Sequence, residues 1–197
     1  MFISLEGIDG SGKSTQARRL VDTLRARGHA VTLTREPGGS EGAEAIRRLL
    51  VEGEPDRWSA KTELLLFNAA RRDHLERLID PALARGDWVV TDRFADSTRV
   101  YQATRGGSRD TVDALHHLMI GREPDLTVLI DMDPREALSR GLARASGEDR
   151  FEDLGLAFQE RLRAGFLSLA QEFPDRIRTV DGAADAGTVA ARIEALL

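Results

Sequence analysis

The sequence predicts an α/β fold: one domain built on a five-stranded parallel sheet with helices on both faces. Two observations carry this. Strand-like and helix-like stretches alternate along the whole chain, and alternating units of this kind stack as parallel sheets. The first unit also holds Gly7-Ile8-Asp9-Gly10-Ser11-Gly12-Lys13-Ser14-Thr15 between a strand-like segment, Met1 to Glu6, and an amphipathic stretch, Gln16 to Arg27. That segment fits G-x-x-x-x-G-K-[ST], the phosphate-binding P-loop, in the strand–loop–helix setting the motif needs.

The elements follow in order. In Gln16–Arg27, residues Ala17, Leu20, Val21 and Leu24 share a face at helical spacing, and Gly28 ends the helix. Ala30 to Arg35 alternates with branched residues and reads as the second strand, closed by the loop Arg35-Glu36-Pro37-Gly38-Gly39-Ser40. Glu41 to Leu50 reads as a short helix and Glu52 to Arg57 as a polar loop. Lys61 to Ala84 reads as a longer helix, kinked or stopped near Pro81, with Leu64, Phe67, Arg71, Leu75 and Leu78 on one face. Asp87 to Thr91 is the third strand, its Val89 and Val90 suited to burial in a parallel sheet. It runs into Asp92-Arg93-Phe94 and a helical stretch with Ser97, Tyr101 and Gln102. After the loop Arg105–Arg109 come a helix at Asp110–Ile120, the fourth strand Leu126–Asp131 and a helix opened by Pro134 and running to Leu142. Arginines among glycines at about 140–151 (Arg140, Arg144, Arg150) suggest a lid over phosphates. A helix at Phe151–Phe173, a strand at Arg176–Val180 and a last helix at Asp185–Leu197 complete the pattern.

Composition narrows the function. The chain has 197 residues, 41% hydrophobic and 31% charged, with no run near 18 apolar residues and no basic-then-apolar leader. These features lead us to expect a cytoplasmic protein with no membrane partner. There are no cysteines, which excludes disulfides, thiolate metal sites and cysteine nucleophiles. A net charge of −5 argues against a nucleic-acid surface. Lysine occurs only at 13 and 61, so the Asn-Lys-x-Asp segment of guanine-reading GTPases is absent.

The motif has a direct chemical reading. Glycines let backbone N–H groups converge on an anion, the helix start adds partial positive charge, Lys13 reaches the β- and γ-phosphates, and Ser14 offers its hydroxyl to Mg²⁺. Gly7 to Thr15 is therefore the expected ATP site. Asp92, at a strand end, is a second candidate near the metal, and Arg93 beside it suits a second phosphate. Phe67 and Arg71, one turn apart, are spaced to hold a planar ring, or alternatively a core phenylalanine and an arginine directed to solvent.

Taken together, GIDGSGKST, the strand-end REPGG at Arg35–Gly39, FNAARRDH at Phe67–His74, TDRF at Thr91–Phe94, STRVYQ at Ser97–Gln102 and the arginine-bearing stretch resemble the thymidylate kinases, specifically the bacterial type with an arginine-bearing lid. The resemblance spans essentially the full length. It implies one P-loop nucleoside monophosphate kinase domain over residues 1–197 that transfers the γ-phosphoryl of ATP to dTMP with Mg²⁺, as a homodimer. It further implies that Phe67 stacks on thymine, Arg71 bonds its carbonyl edge, Arg93 binds the dTMP phosphate, Tyr101 packs on the sugar and Gln102 helps read the base. Asp9 falls near the sugar hydroxyl or the metal, and Arg35, Glu36, Pro37 and Ser97 border the acceptor. Two positions depart from the family. Phe94 stands where Tyr or His is usual. Gly10 stands where one group of the family carries an arginine, so the catalytic cation is expected from Arg140, Arg144 or Arg150. The competing readings are a kinase of another nucleotide or of a deoxynucleoside, and a nucleotide-binding regulator without turnover.

Overall fold

The computed structural model describes residues 1–54, 57–142 and 155–197. Five parallel strands form one sheet: β1 (Phe2–Glu6), β2 (Val31–Arg35), β3 (Trp88–Asp92), β4 (Leu126–Asp131) and β5 (Ile177–Asp181), in the order β2-β3-β1-β4-β5. The register aligns Leu5 and Arg35 with Asp92, and Asp131 with Asp181. The carboxyl ends of the strands therefore form one rim. The chain leaves β1 toward one edge of the sheet and later returns to fill the other, so the crevice beside β1 is the place where such sheets take ligands.

The strands are covered on both faces, as their apolar runs require. On one face, Ile3, Leu5, Val90, Val128, Ile130 and Val180 pack against α1 (Lys13–Ala26) and α9 (Ala186–Glu194) through Ala17, Leu20, Val21, Leu24, Val189 and Ile193. The opposite face carries two smaller clusters. One joins Leu129 and Ile177 to Tyr101 of α5 (Ala95–Thr104), Ala137 of α7 (Pro134–Leu142) and Phe158, Leu162 and Phe166 of α8 (Gly155–Glu172). The other joins Phe2, Val89, Phe94 and Ala95 to Leu75, Ile79 and Ala82. Helix α2 (Glu41–Val51) lies against α3 (Ala60–His74). Among the described residues, no helix is long and apolar enough to cross a membrane.

Several boundaries differ from the sequence expectation for physical reasons. Helix α1 starts at Lys13, three residues earlier than the apolar periodicity indicates. Gly12 is its cap at φ 94°, and the N–H groups of Thr15 and Gln16 both reach the Gly12 carbonyl at 3.0 Å. The long helix is not stopped at Pro81. A π-helical turn, Leu75–Ile79, follows α3 and runs on into α4 (Asp80–Ala84), so the chain passes through Pro81 in helical conformation with the wider turn just before it. A second π-helical turn, His116–Ile120, extends α6 (Arg109–Leu115) and ends on left-handed Gly121. The expected start of the Phe151–Phe173 helix lies outside the described residues, which resume at Gly155.

Candidate active site

The P-loop bridges β1 and α1. No acidic residue occupies the first turn of α1, so the positive end of its dipole is left open to an anion. Gly7, Gly10 and Gly12 all have positive φ. Gly10 is also sterically required: a Cβ there would stand 1.9 Å from the carbonyl oxygen of Ala137 in α7. An arginine at this position is thus incompatible with the packing of α7 on the loop. Lys13 reaches back across the loop, its Nζ donating to the Ile8 carbonyl at 2.7 Å. Burial, reinforced by the charge of Arg93, lowers the Lys13 pKa to about 8.

Ser14, the second residue of α1, donates its hydroxyl to the Asp92 carboxylate at the end of β3. The two oxygen ligands proposed for a metal are therefore adjacent, 78 residues apart in sequence. A hydroxyl and a carboxylate suit a hard cation that keeps most of its shell for water and phosphate oxygens.

Arg93 begins the turn from β3 to α5 and has φ 73°, the one non-glycine residue with positive φ among those described. Its guanidinium lies beneath the P-loop. Nη1 donates to the Gly7 carbonyl at 3.1 Å and to Ser97 Oγ at 2.8 Å; Nη2 donates to Asp9 Oδ1 and, at 3.0 Å, to the Tyr101 hydroxyl. Tyr101 in turn donates to Asp9 Oδ2 at 2.7 Å. Asp9 thus stands with Arg93 and Tyr101, while Ser14 pairs with Asp92. Burial alone would raise the Asp9 pKa, but Arg93 and Lys13 hold it below the usual range. Burial raises that of Tyr101 well above its ordinary value, so the phenol stays a donor.

A second buried group lies on the same rim. Arg71 of α3 is 3% exposed. Its Nε donates to Glu36 Oε2 at 2.7 Å, and Nη2 donates to the Phe94 carbonyl at 3.2 Å and to Thr98 Oγ1 at 2.8 Å. The alternative in which Arg71 turns to solvent is therefore wrong: a carboxylate from the β2 loop holds it inside. Nη1 has no hydrogen bond among the described residues, so one edge of the guanidinium remains for a ligand. Glu36 also meets His74, Nδ1 to Oε1 at 3.0 Å, and His74 Nε2 lies 2.7 Å from Thr34 Oγ1. These contacts fit a ring that donates to Glu36 and accepts from Thr34. The Glu36–Pro37 bond is cis.

Other expected site residues are placed as follows. Phe67 is half-buried on α3, one turn before Arg71. Gln102 is buried on α5, its Nε2 3.4 Å from Glu63 Oε2. The Pro37 carbonyl takes a hydrogen bond from Arg47. Arg35 is paired with Glu44 on the surface, at 3.2 Å. Arg140 lies on α7, paired with Glu136 at 2.6 Å and 40% exposed. Arg144, Arg150 and most of the expected lid lie outside the described residues. Phe94 is fully buried, edge-on to Phe2 at 4.9 Å and under the Arg71 guanidinium at 5.1 Å. The departure at 94 is thus a core ring.

Sequence reasoning missed four contributors: Thr34, Glu6, His74 and Thr98. Glu6, the last residue of β1, is 0% exposed and accepts from the Phe94 N–H at 2.8 Å and from Ser97 Oγ at 2.6 Å. Burial, with Asp96 adding to it, pushes its carboxyl up to about 7. A charged residue ending an apolar strand was the available signal. Thr98 and His74 each needed the fold to reveal their partners.

Comparison with known proteins places the chain in a family. The thymidylate kinase family model matches residues 5–193. A thymidylate kinase of Jannaschia sp. (strain CCS1) is 69% identical over 198 residues, covering 100% of this chain and 95% of that protein. One from Dinoroseobacter shibae is 71% identical over 197 residues, with the same coverage. A crystal structure of thymidylate kinase from Ehrlichia chaffeensis matches with a TM-score of 0.81 at 32% identity, covering 100% of this chain and 97% of that one. The P-loop, the Asp92-Arg93 turn and the buried Arg71 lie along one rim of the sheet, and the chain belongs to the thymidylate kinase family.

Proposed function

We propose that the protein transfers the γ-phosphoryl of ATP to dTMP, giving dTDP and ADP in the synthesis of dTTP. The observation that carries this is the Asp9–Arg93–Tyr101 cluster directly beneath the P-loop, with Arg71 further along the same rim. Gly7 to Thr15 cradles the donor phosphates. Arg93 takes the acceptor phosphate, exchanging some of its contacts to Asp9 and Ser97 for phosphate oxygens. Tyr101 packs on the sugar and leaves no room for a 2′-hydroxyl. Phe67 stacks on the base, Arg71 bonds its carbonyl edge through Nη1, and Gln102 and the Glu36–Pro37 loop complete the enclosure.

The acceptor phosphate has its second pKa near 6, so at pH 7 it is largely a dianion and needs no general base. The barrier is repulsion between two anions, and the protein's task is to hold them in line and neutralise charge. Lys13, the P-loop amides and Arg93 do this from below, and Arg140, Arg144 or Arg150 from the lid side. Ser14 and Asp92 are the residues that would hold Mg²⁺, which when bound supplies charge neutralisation at the phosphate oxygens. A single arginine that reaches the transferring group contributes ~10³–10⁵ in rate in related enzymes.

The enzyme acts as a homodimer in the cytoplasm, where its nucleotides are. Support for the dimer comes from Leu65 on α3 and Leu118 and Met119 on the π-helical turn after α6, which are 59%, 71% and 51% exposed. These neighbouring elements are tied by Arg72 Nη1 to the Met119 carbonyl at 3.1 Å. Leu118→Glu is expected to shift the protein to monomer in sedimentation.

Coupled ADP release with MgATP against dTMP, dUMP, UMP, dCMP, AMP and thymidine tests the reading. Fast turnover with dTMP and slower turnover with dUMP is expected. Preference for a ribonucleotide or a nucleoside overturns the acceptor assignment, and ATP binding without turnover of any acceptor favours a regulator.

A further inference from the structure

Glu6 is the last residue of β1, fully buried, and forms no ion pair among the described residues. Its Oε1 accepts from the backbone N–H of Phe94 at 2.8 Å and of Ser97 at 3.3 Å. Its Oε2 accepts from the Ser97 hydroxyl at 2.6 Å. In the ionised form of Glu6, reached above its shifted pKa of about 7, the carboxylate can only accept, so the single proton of that hydroxyl points to Glu6. The lone pairs of Ser97 Oγ are then turned toward Arg93 Nη1, which donates to them at 2.8 Å.

We infer that Glu6 is a positioning residue for the acceptor phosphate, acting through Ser97 to aim the guanidinium of Arg93. This rests on the reading above that Arg93 binds that phosphate. Arg93 occupies a left-handed backbone that an L-residue rarely adopts, and such a conformation persists only when its surroundings hold it. Three restraints do so. The Arg93 N–H bonds the Leu5 carbonyl at 3.0 Å, its carbonyl accepts from Thr91 Oγ1 at 2.9 Å, and Glu6 clasps the next residue, Phe94, at its N–H. Glu6 thus fixes both the backbone that presents Arg93 and the hydroxyl that orients its tip. It also satisfies the N-terminus of α5, which has no side-chain cap of its own at Phe94.

The chemistry predicts an asymmetric response. In Glu6→Gln the amide oxygen must face the two backbone N–H groups, which leaves the amide NH₂ at the serine. Ser97 then receives a proton from the glutamine, and its own proton turns toward Arg93, where two donors oppose each other. The Arg93–Ser97 bond is lost without any change in size. Ser97→Ala removes the same bond while keeping both backbone contacts to Glu6, and Ser97→Thr keeps the hydroxyl.

The experiment is steady-state kinetics of wild type, Glu6→Gln, Ser97→Ala, Ser97→Thr and the Glu6→Gln/Ser97→Ala pair, with MgATP and dTMP varied separately. Both Glu6→Gln and Ser97→Ala are expected to raise KM for dTMP about tenfold, roughly the loss of one charge-assisted hydrogen bond. KM for ATP should hold, Ser97→Thr should restore most of the loss, and the double variant should be no worse than the poorer single one. Multiplicative losses in the double variant, equal losses for ATP and dTMP, or no change in dTMP kinetics overturn the inference. If Glu6→Gln fails to fold, Glu6→Asp, which keeps the charge but draws the carboxylate back from Ser97, takes its place, and the same dTMP-specific loss is expected. Absence of dTMP turnover in wild type would instead reject the proposed acceptor.

Discussion

Arg71→Ala separates stability from recognition. The Arg71 and Glu36 side chains are 3% and 4% exposed and meet at 2.7 Å. Removing one partner of a buried pair strands the other charge and costs about 3–5 kcal/mol. For a chain of this length, each kcal/mol moves the melting temperature by roughly 2–4 °C, so the variant should melt on the order of 10 °C below wild type. His74 remains at Glu36 Oε1 and lessens the penalty, which favours the lower end of the range. Recognition is a separate quantity. Loss of one charged hydrogen bond to the base, about 1.5–3 kcal/mol, raises KM for dTMP roughly 10- to 100-fold and leaves KM for ATP alone. Calorimetry and two-substrate kinetics measure the two effects, below the melting temperature of the variant. Arg71→Leu combined with Glu36→Leu should recover only part of the stability, because the buried His74 Nδ1 then loses its Glu36 partner, and none of the dTMP affinity. A stability loss below about 1 kcal/mol in Arg71→Ala would refute the buried-pair reasoning, and unchanged KM for dTMP would refute the base contact.

Further outcomes follow from the same geometry. Lys13→Ala should lower kcat steeply while leaving the fold intact, measured by ADP release and circular dichroism; full activity would sink the assignment of the site. Gly10→Ala should be destabilised by at least the ~1–2 kcal/mol of a left-handed alanine. It should also lose activity as α7 moves, because the added methyl meets the Ala137 carbonyl at 1.9 Å; wild-type melting and turnover would contradict this packing. Glu6 makes a pH prediction. Its folded pKa of about 7 exceeds its usual 4.5, so the folded state binds more protons between these values and stability falls as pH rises through them. Relative to Glu6→Gln, wild type should lose about 3 kcal/mol of unfolding free energy from pH 4.5 to 7. Urea titrations at both pH values measure it, and a pH-independent difference contradicts the burial argument.

The sequence was most informative where local chemistry is concentrated. Gly7 to Thr15 announces its own conformation, because glycines at fixed spacing before Lys13 have few other uses. Val89 and Val90 mark a buried strand, and Asp92-Arg93 at its end could be placed on the rim from the strand assignment alone. What stayed hidden depends on distant partners. Arg71 read equally well as a solvent-directed cation until Glu36, 35 residues away, was found to hold it. Glu6 looked like the polar end of an apolar strand, and its partners Phe94 and Ser97 lie 88 and 91 residues on. The π-helical turn before Pro81 escaped for another reason: its apolar spacing is close to that of an α-helix, and only the pattern of hydrogen bonds tells the two apart.

The central claim is that phosphate placed on the P-loop moves to a nucleotide held by Arg93 and Arg71. A quenched single-turnover reaction with γ-labelled ATP, Mg²⁺ and dTMP tests it most directly. The account predicts that the label appears in dTDP, that wild type gives little of it as inorganic phosphate, and that Arg93→Ala nearly abolishes transfer. Label released only as inorganic phosphate, or transfer unaffected by Arg93→Ala, would contradict it.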